Sequence, residues 1–206
     1  MISVGIDPGT EHSGMVVFDD IYKKVLLSVD VENNKLLDFL HGDSTCLADG
    51  TFFNVLSIDD FFIETIEAMG LMVGKSTFET CIWIGRYIEA YEHITGKKSV
   101  RVSRGDEKTV ICGASTFKNP ETGKRKSVGD TQIRAALIER FPATGGGACP
   151  QVGTKASPGP LYGVSGHCWQ ALSVVITGLE IQNSVSTIKE KKKEKQIVVE
   201  CNDLGF

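Results

Sequence analysis

The stretch that most constrains this chain is its opening. Ile2 to Asp7 is a short apolar run with β-branched residues, and it stops at a carboxylate. Pro8-Gly9-Thr10 follows at once and is a strong turn signal. Gly14 to Phe18 reads as a second strand and Lys24 to Val29 as a third. Links this short predict an antiparallel meander. Its first strand is buried and places Asp7 at one end of a sheet.

Downstream, Leu36, Leu37, Phe39 and Leu40 predict one face of a short helix. Asp60 to Glu67 (DFFIETIE) reads as a strand that again ends in a carboxylate, Glu67. Ser76 to Thr95 is the clearest helix: Ser76 and Glu79 have capping-box spacing, Phe78, Ile82, Ile84/Gly85 and Ile88 recur at helical spacing, and Gly96 marks the stop. Ser99 to Ser103 alternates like a strand, and Asp106 to Cys112 is a weak helix. Residues 113–129 read as a polar basic loop. Asp130, as N-cap, opens a helix to Phe141, and the Gly- and Pro-rich residues 143–164 predict a long loop of the kind that often carries function. Gly166 to Leu179 is the last core helix. The order predicts an α/β fold, a mixed β-sheet flanked by α-helices, over residues 1–184. Residues 185–206, with the charge run KEKKKEK, predict a mobile C-terminal tail with a short strand at Ile197 to Val199.

Charge is unevenly distributed. Residues 1–67 hold 13 acidic and 3 basic side chains, whereas residues 96–127 hold 9 basic and 3 acidic. The acidic block suits hard-cation binding and the basic block suits a polyanion, while a sequence pI near 5.6 argues against indiscriminate coating of nucleic acid. The six cysteines show no CxxC or zinc-finger spacing, which predicts free thiols. No apolar run has the roughly 20 residues that cross a bilayer, so no membrane partner is expected. The start has no basic n-region, so no export signal is expected either.

If the strands ending in Asp7 and Glu67 are neighbours, two fixed carboxylates converge on one sheet end. That donor type binds a hard divalent cation, and two such ions serve phosphodiester cleavage. The string Val4 to Gly14, VGIDPGTEHSG, closely resembles the opening motif of the RuvC family of Holliday-junction resolvases, in the RNase H-like superfamily. Further stretches resemble the phage and prophage branch: VGKSTFETCIWIGRYIEA, ICGAS, DTQIRAALIERF and VGTKASPGPLYGVSGHCW. The resemblance spans about residues 1–182. It implies an RNase H-like fold, a homodimer, four-way junction or branched DNA as substrate, and a two-metal site holding Mg2+ or Mn2+.

By that resemblance Asp7 and Glu67 are catalytic metal ligands, and the third motif is His167-Cys168-Trp169-Gln170-Ala171-Leu172. His167 stands where the usual form has its first Asp, as in some family members, and is read as the third ligand. Imidazole suits manganese better than magnesium, so good activity with manganese is expected. Gln170 stands at the second Asp position and departs from the motif. Three roles remain open for it: weak metal binding through the amide oxygen, positioning of a water, or none.

Candidate DNA contacts are Arg104, Lys108, Lys118, Lys124, Arg125, Lys126 and Lys155, because flexible cations on loops suit phosphate. Met69 and Met72 follow Glu67, where the resembled family has a loop near the junction centre. They are read either as an apolar wedge or as core. The resulting expectation is a divalent-metal-dependent structure-selective endodeoxyribonuclease acting in DNA recombination or repair, in the cytoplasm of a bacterium or phage-infected host cell. Two rivals remain. A branched-DNA-binding protein with weakened catalysis is motivated by Gln170. An actin- or sugar-kinase-like nucleotide-binding protein is motivated by Asp-x-Gly-Thr, but the chain offers no second phosphate loop.

Overall fold

The computed structural model describes residues 1–42, 53–67, 70, 73–119, 121 and 123–203, with side chains described as far as residue 187. Met69 and Met72 lie outside the described residues.

Three strands form the expected meander: β1 (Ile2–Asp7), β2 (His12–Asp19) and β3 (Lys24–Glu32). The chain then forms α1 (Asn33–Leu40), a short 3-10 turn at Val55–Ser57, β4 (Asp60–Thr65) and α2 (Lys75–Thr95). It continues through β5 (Val100–Ser103), α3 (Arg104–Cys112), a hairpin of β6 (Thr116–Lys118) and β7 (Arg125–Ser127), and α4 (Asp130–Glu139). A two-residue pair, β8 (Gly153–Thr154) and β9 (Ser157–Pro158), precedes α5 (Cys168–Asp203).

The main sheet runs β3-β2-β1-β4-β5. The meander is antiparallel, while β4 pairs parallel to β1 and β5 parallel to β4. Strand periodicity divides the sheet's side chains between two cores. Val4, Ile6, Phe61 and Ile63 join Leu36 and Leu40 of α1 and Tyr87 and Tyr91 of α2. Val16, Phe18 and Phe62 join Ile133 and Leu137 of α4 and Leu172 and Val175 of α5. The sheet is therefore sandwiched between helical layers. α5 packs across β1, β2 and β4, close enough that a Cβ on Gly5 would lie 2.2 Å from the Ala171 carbonyl oxygen. Only glycine fits at that position in β1.

Several expectations are corrected. α2 begins at Lys75 with Gly74 as N-cap, so Ser76 does not cap it, and Phe78 and Ile82 point to solvent. Its core face is Ile84, as expected, with Tyr87, Ala90 and Tyr91. Gly129, not Asp130, caps α4. The basic loop contains the β6–β7 hairpin, with Phe117 packed on the core. The long Gly/Pro loop contains β8–β9. Residues 197–199 are helical, because α5 continues past residue 185 to Asp203. The four cysteines whose side chains are described, Cys81, Cys112, Cys149 and Cys168, are free, as expected.

Candidate active site

Parallel pairing sets the register at the end of the sheet. Ile6 lies opposite Ile63, so Asp7 and Glu64 are the next pair along. Both belong to the alternation that faces α5, as Gly5 and Phe62 do. Their carboxyls are close enough to share a hydrogen bond, which requires a proton on one of them. Burial, the largest influence, raises Asp7 to about 6 and Glu64 to about 7. The Asp7 charge pushes Glu64 further in the same direction.

Behind this pair is a third acid. Ser103 ends β5 and caps α3: its hydroxyl accepts from the Asp106 N–H, and the Asp106 carboxylate accepts from the Ser103 N–H. That start places Glu107, fully buried, beside Glu64. Burial, and then the Glu64 charge, raises Glu107 to about 7. Its Oε2 accepts from Arg104 Nη1 at 2.9 Å, while its Oε1 has no hydrogen-bond partner among the described residues. Arg104 also donates to Asp130 at the start of α4.

His167 sits immediately before α5, beside Asp7. Its Nδ1 is 3.8 Å from Asp7 Oδ2, and its ring is largely exposed. Its carbonyl accepts from the Gln170 and Ala171 N–H groups, satisfying two free donors of the helix start. The approach depends on Gly14, where a Cβ would lie 2.9 Å from the His167 carbonyl oxygen. Asp7 stands between two openings. One, of about 630 Å³, is lined by Asp130, Thr131, Arg134, His167, Trp169 and Gln170. The other, of about 280 Å³, is lined by Glu64, Ile66 and the first turns of α2.

Glu67 does not occupy the place expected of it. β4 ends at Thr65, and Glu67 lies beyond it, exposed. Within DFFIETIE the pair that ends the strand beside Asp7 is Ile63-Glu64, not Ile66-Glu67. Strand alternation could have found it, since Phe62 and Glu64 share one face. Glu107 gave no signal beyond the capping spacing Ser103-x-x-Asp106.

The expected DNA contacts separate into two groups. Arg104 is committed to Glu107 and Asp130 inside the fold. Lys118, Arg125 and Lys126 are exposed on the β6–β7 hairpin, and Lys124 enters it. Lys108 Nζ donates to Ser127 Oγ of that hairpin at 3.2 Å, which ties α3 to it. Lys155 is exposed in the β8–β9 turn.

Oxygen donors with one imidazole suit a hard or borderline divalent cation, and an unpaired carboxylate oxygen buried behind them is consistent with a charged centre. Asp7, Glu64 and His167 are the residues that could hold it. Among the described residues no three His, Cys, Asp or Glu side chains form a finished metal cage.

The architecture matches solved structures. Thermus thermophilus RuvC aligns with 86% of this chain and 92% of its own, at a TM-score of 0.52 and 14% identity. Thermus thermophilus RuvC in complex with a Holliday junction substrate aligns with 86% of this chain and 91% of its own, at a TM-score of 0.51 and 13% identity. No protein-family model and no curated protein matches the sequence. The chain therefore has a RuvC-like fold, the α/β RNase H-like arrangement that its opening motif suggested.

Proposed function

We propose that this chain is a divalent-metal-dependent, structure-selective endodeoxyribonuclease that resolves four-way junctions or related branched DNA. The observation that carries the reading is the pairing of Asp7 with Glu64 at the end of adjacent buried strands, with His167 beside Asp7 on the same open cleft. Likeness to a fold solved with a junction substrate supports it.

In this reading Asp7, Glu64 and His167 hold Mg2+ or Mn2+. A bound divalent cation supplies charge neutralisation at the phosphate and a more acidic water. Asp7 and Glu64 hold their protons above the usual carboxylate range in the metal-free protein, so cation binding displaces protons from them. Glu107 and Arg104 fix Glu64 from behind. The hairpin cations and Lys155 meet backbone phosphates, which orients the DNA without reading its sequence.

Cutting opposed strands symmetrically needs two sites related by a two-fold axis. Phe78 and Ile82 lie one turn apart on α2, 62% and 61% exposed. We propose that two copies pair through this face. Ile82→Glu is expected to convert a dimer into a monomer in sedimentation velocity; an unchanged dimer would place the interface elsewhere.

The test of the activity uses a labelled immobile four-way junction and a linear duplex of the same arms, each with magnesium or manganese. Paired symmetric nicks in the junction alone, lost in Asp7→Asn, are expected. Gln170 lines the cleft but brings no charge, which favours one alternative, a branched-DNA-binding protein with weakened catalysis. Tight junction binding without nicks in either metal would establish that alternative.

A further inference from the structure

Arg134 was not among the candidate DNA contacts, yet it lines the cleft with Asp7, His167 and Gln170. It is exposed on α4, and its guanidinium lies 4.5 Å from the centroid of the Trp169 ring. Trp169 follows His167 by two residues and is itself buried, and its indole N–H has no partner among the described residues. The stack holds the cation at the wall of the cleft by its attraction to the ring face.

No carboxylate among the described residues neutralises Arg134. Its natural partner is Asp130, one turn earlier on the same helix and in the same cleft. Asp130 is instead taken by Arg104, which reaches across from α3 while also holding Glu107. Arg104 therefore leaves Arg134 uncompensated, facing a centre that otherwise holds carboxylates. An uncompensated guanidinium in such a position suits an anion, and its planar fork matches two phosphate oxygens.

We propose that Arg134, stacked on Trp169, grips a backbone phosphate of the DNA at the cut site. This rests on the nuclease reading for its substrate and adds a substrate-binding residue to it. Arg134 would hold the phosphodiester against Asp7 and His167 and offset negative charge as the phosphate is attacked.

The test is a cycle between protein and DNA. Four-way junctions carrying one uncharged methylphosphonate in place of each phosphate near the crossover are bound, in calcium, to the wild-type chain and to Arg134→Gln. Arg134→Gln is expected to bind the unmodified junction about tenfold more weakly. One methylphosphonate position should weaken the wild type by a similar factor and add nothing in the variant, because the two changes remove the same contact. In magnesium or manganese, single-turnover cleavage by Arg134→Gln should fall on the order of 10²-fold. Arg134→Lys should recover binding more than rate, since it restores charge without the fork. Its exposed position predicts an unchanged melting temperature for both variants. Wild-type affinity in Arg134→Gln, or additive effects at every phosphate, would overturn the assignment. If the wild-type chain binds junctions but cuts none, the nuclease reading fails and the methylphosphonate cycle still decides Arg134.

Discussion

Glu64→Gln should reduce junction cleavage on the order of 10³-fold, because an amide replaces an anionic donor to the cation that would neutralise the phosphate, while Glu67→Gln should stay within about twofold of wild type. The contrast follows from the strand. Glu64 is one residue past Ile63, which pairs with Ile6, so its carboxyl meets Asp7. Glu67 is beyond the strand end and exposed. Folding offers an independent check on the same variant. Glu64 is half-buried, and the desolvation of its carboxyl raises it to about 7, while desolvation likewise pushes Asp7 up. A neutral amide at 64 removes a like charge from a poorly solvated site, so Glu64→Gln should melt no lower than wild type at pH 7.5. Loss of cleavage without loss of stability assigns Glu64 to the chemistry. The reverse pattern, with Glu67→Gln inactive and Glu64→Gln active, would sink the assignment.

The second large effect is on stability in the metal-free protein. Asp7, Glu64 and Glu107 are all raised, to about 6, 7 and 7, chiefly by burial. The folded state therefore binds protons more tightly than the unfolded chain, and stability falls as pH rises from the ordinary carboxylate range through about 7. The three acids sense one another's charge, so their protons leave as a group over this range and the fall in stability is shared among them. With a chelator present, the melting temperature should be clearly lower at pH 7.5 than at pH 5. Adding manganese or magnesium should restore it at pH 7.5, where the acids are free to bind, and do little at pH 5, where protons compete. Equal melting temperatures at the two pH values, or an equal metal effect at both, would contradict this account. Glu107→Gln should flatten the pH dependence, having removed one of the three acids.

The parts of this architecture that rest on local signals were legible in the sequence. The Asp-Pro-Gly turn fixed the end of β1, and the β-branched runs around it predicted the meander. Asp7 and His167, both at the ends of elements, were picked out by motif, and the structure brings them to 3.8 Å. What failed depended on tertiary context. DFFIETIE offers two acids three residues apart, and only pairing with β1 shows which of them stays in the strand. Phe78 and Ile82 have core-like spacing, but α2 turns Tyr87 and Tyr91 to the sheet instead, with Tyr91 stacked on Phe61 at 4.4 Å. Arg104 resembles any loop cation until α4 brings Asp130 to it. Glu107 sits in a charged, weakly periodic segment whose burial comes from α5 packing over it.

The division of β1 and β4 between two cores has a consequence in time as well as in space. Asp7 and Glu64 follow residues 6 and 63, both with no exposed surface, in strands hydrogen-bonded on either side. Backbone amides in such strands open only with the whole domain, so the acids sit on what should be the slowest-exchanging part of the molecule. The β6–β7 hairpin is three residues deep on each strand and mostly exposed. Its amides should exchange orders of magnitude faster. On the proposed nuclease reading, accommodation of a bulky, variable DNA branch would fall to the hairpin, over acids held on a floor that stays still.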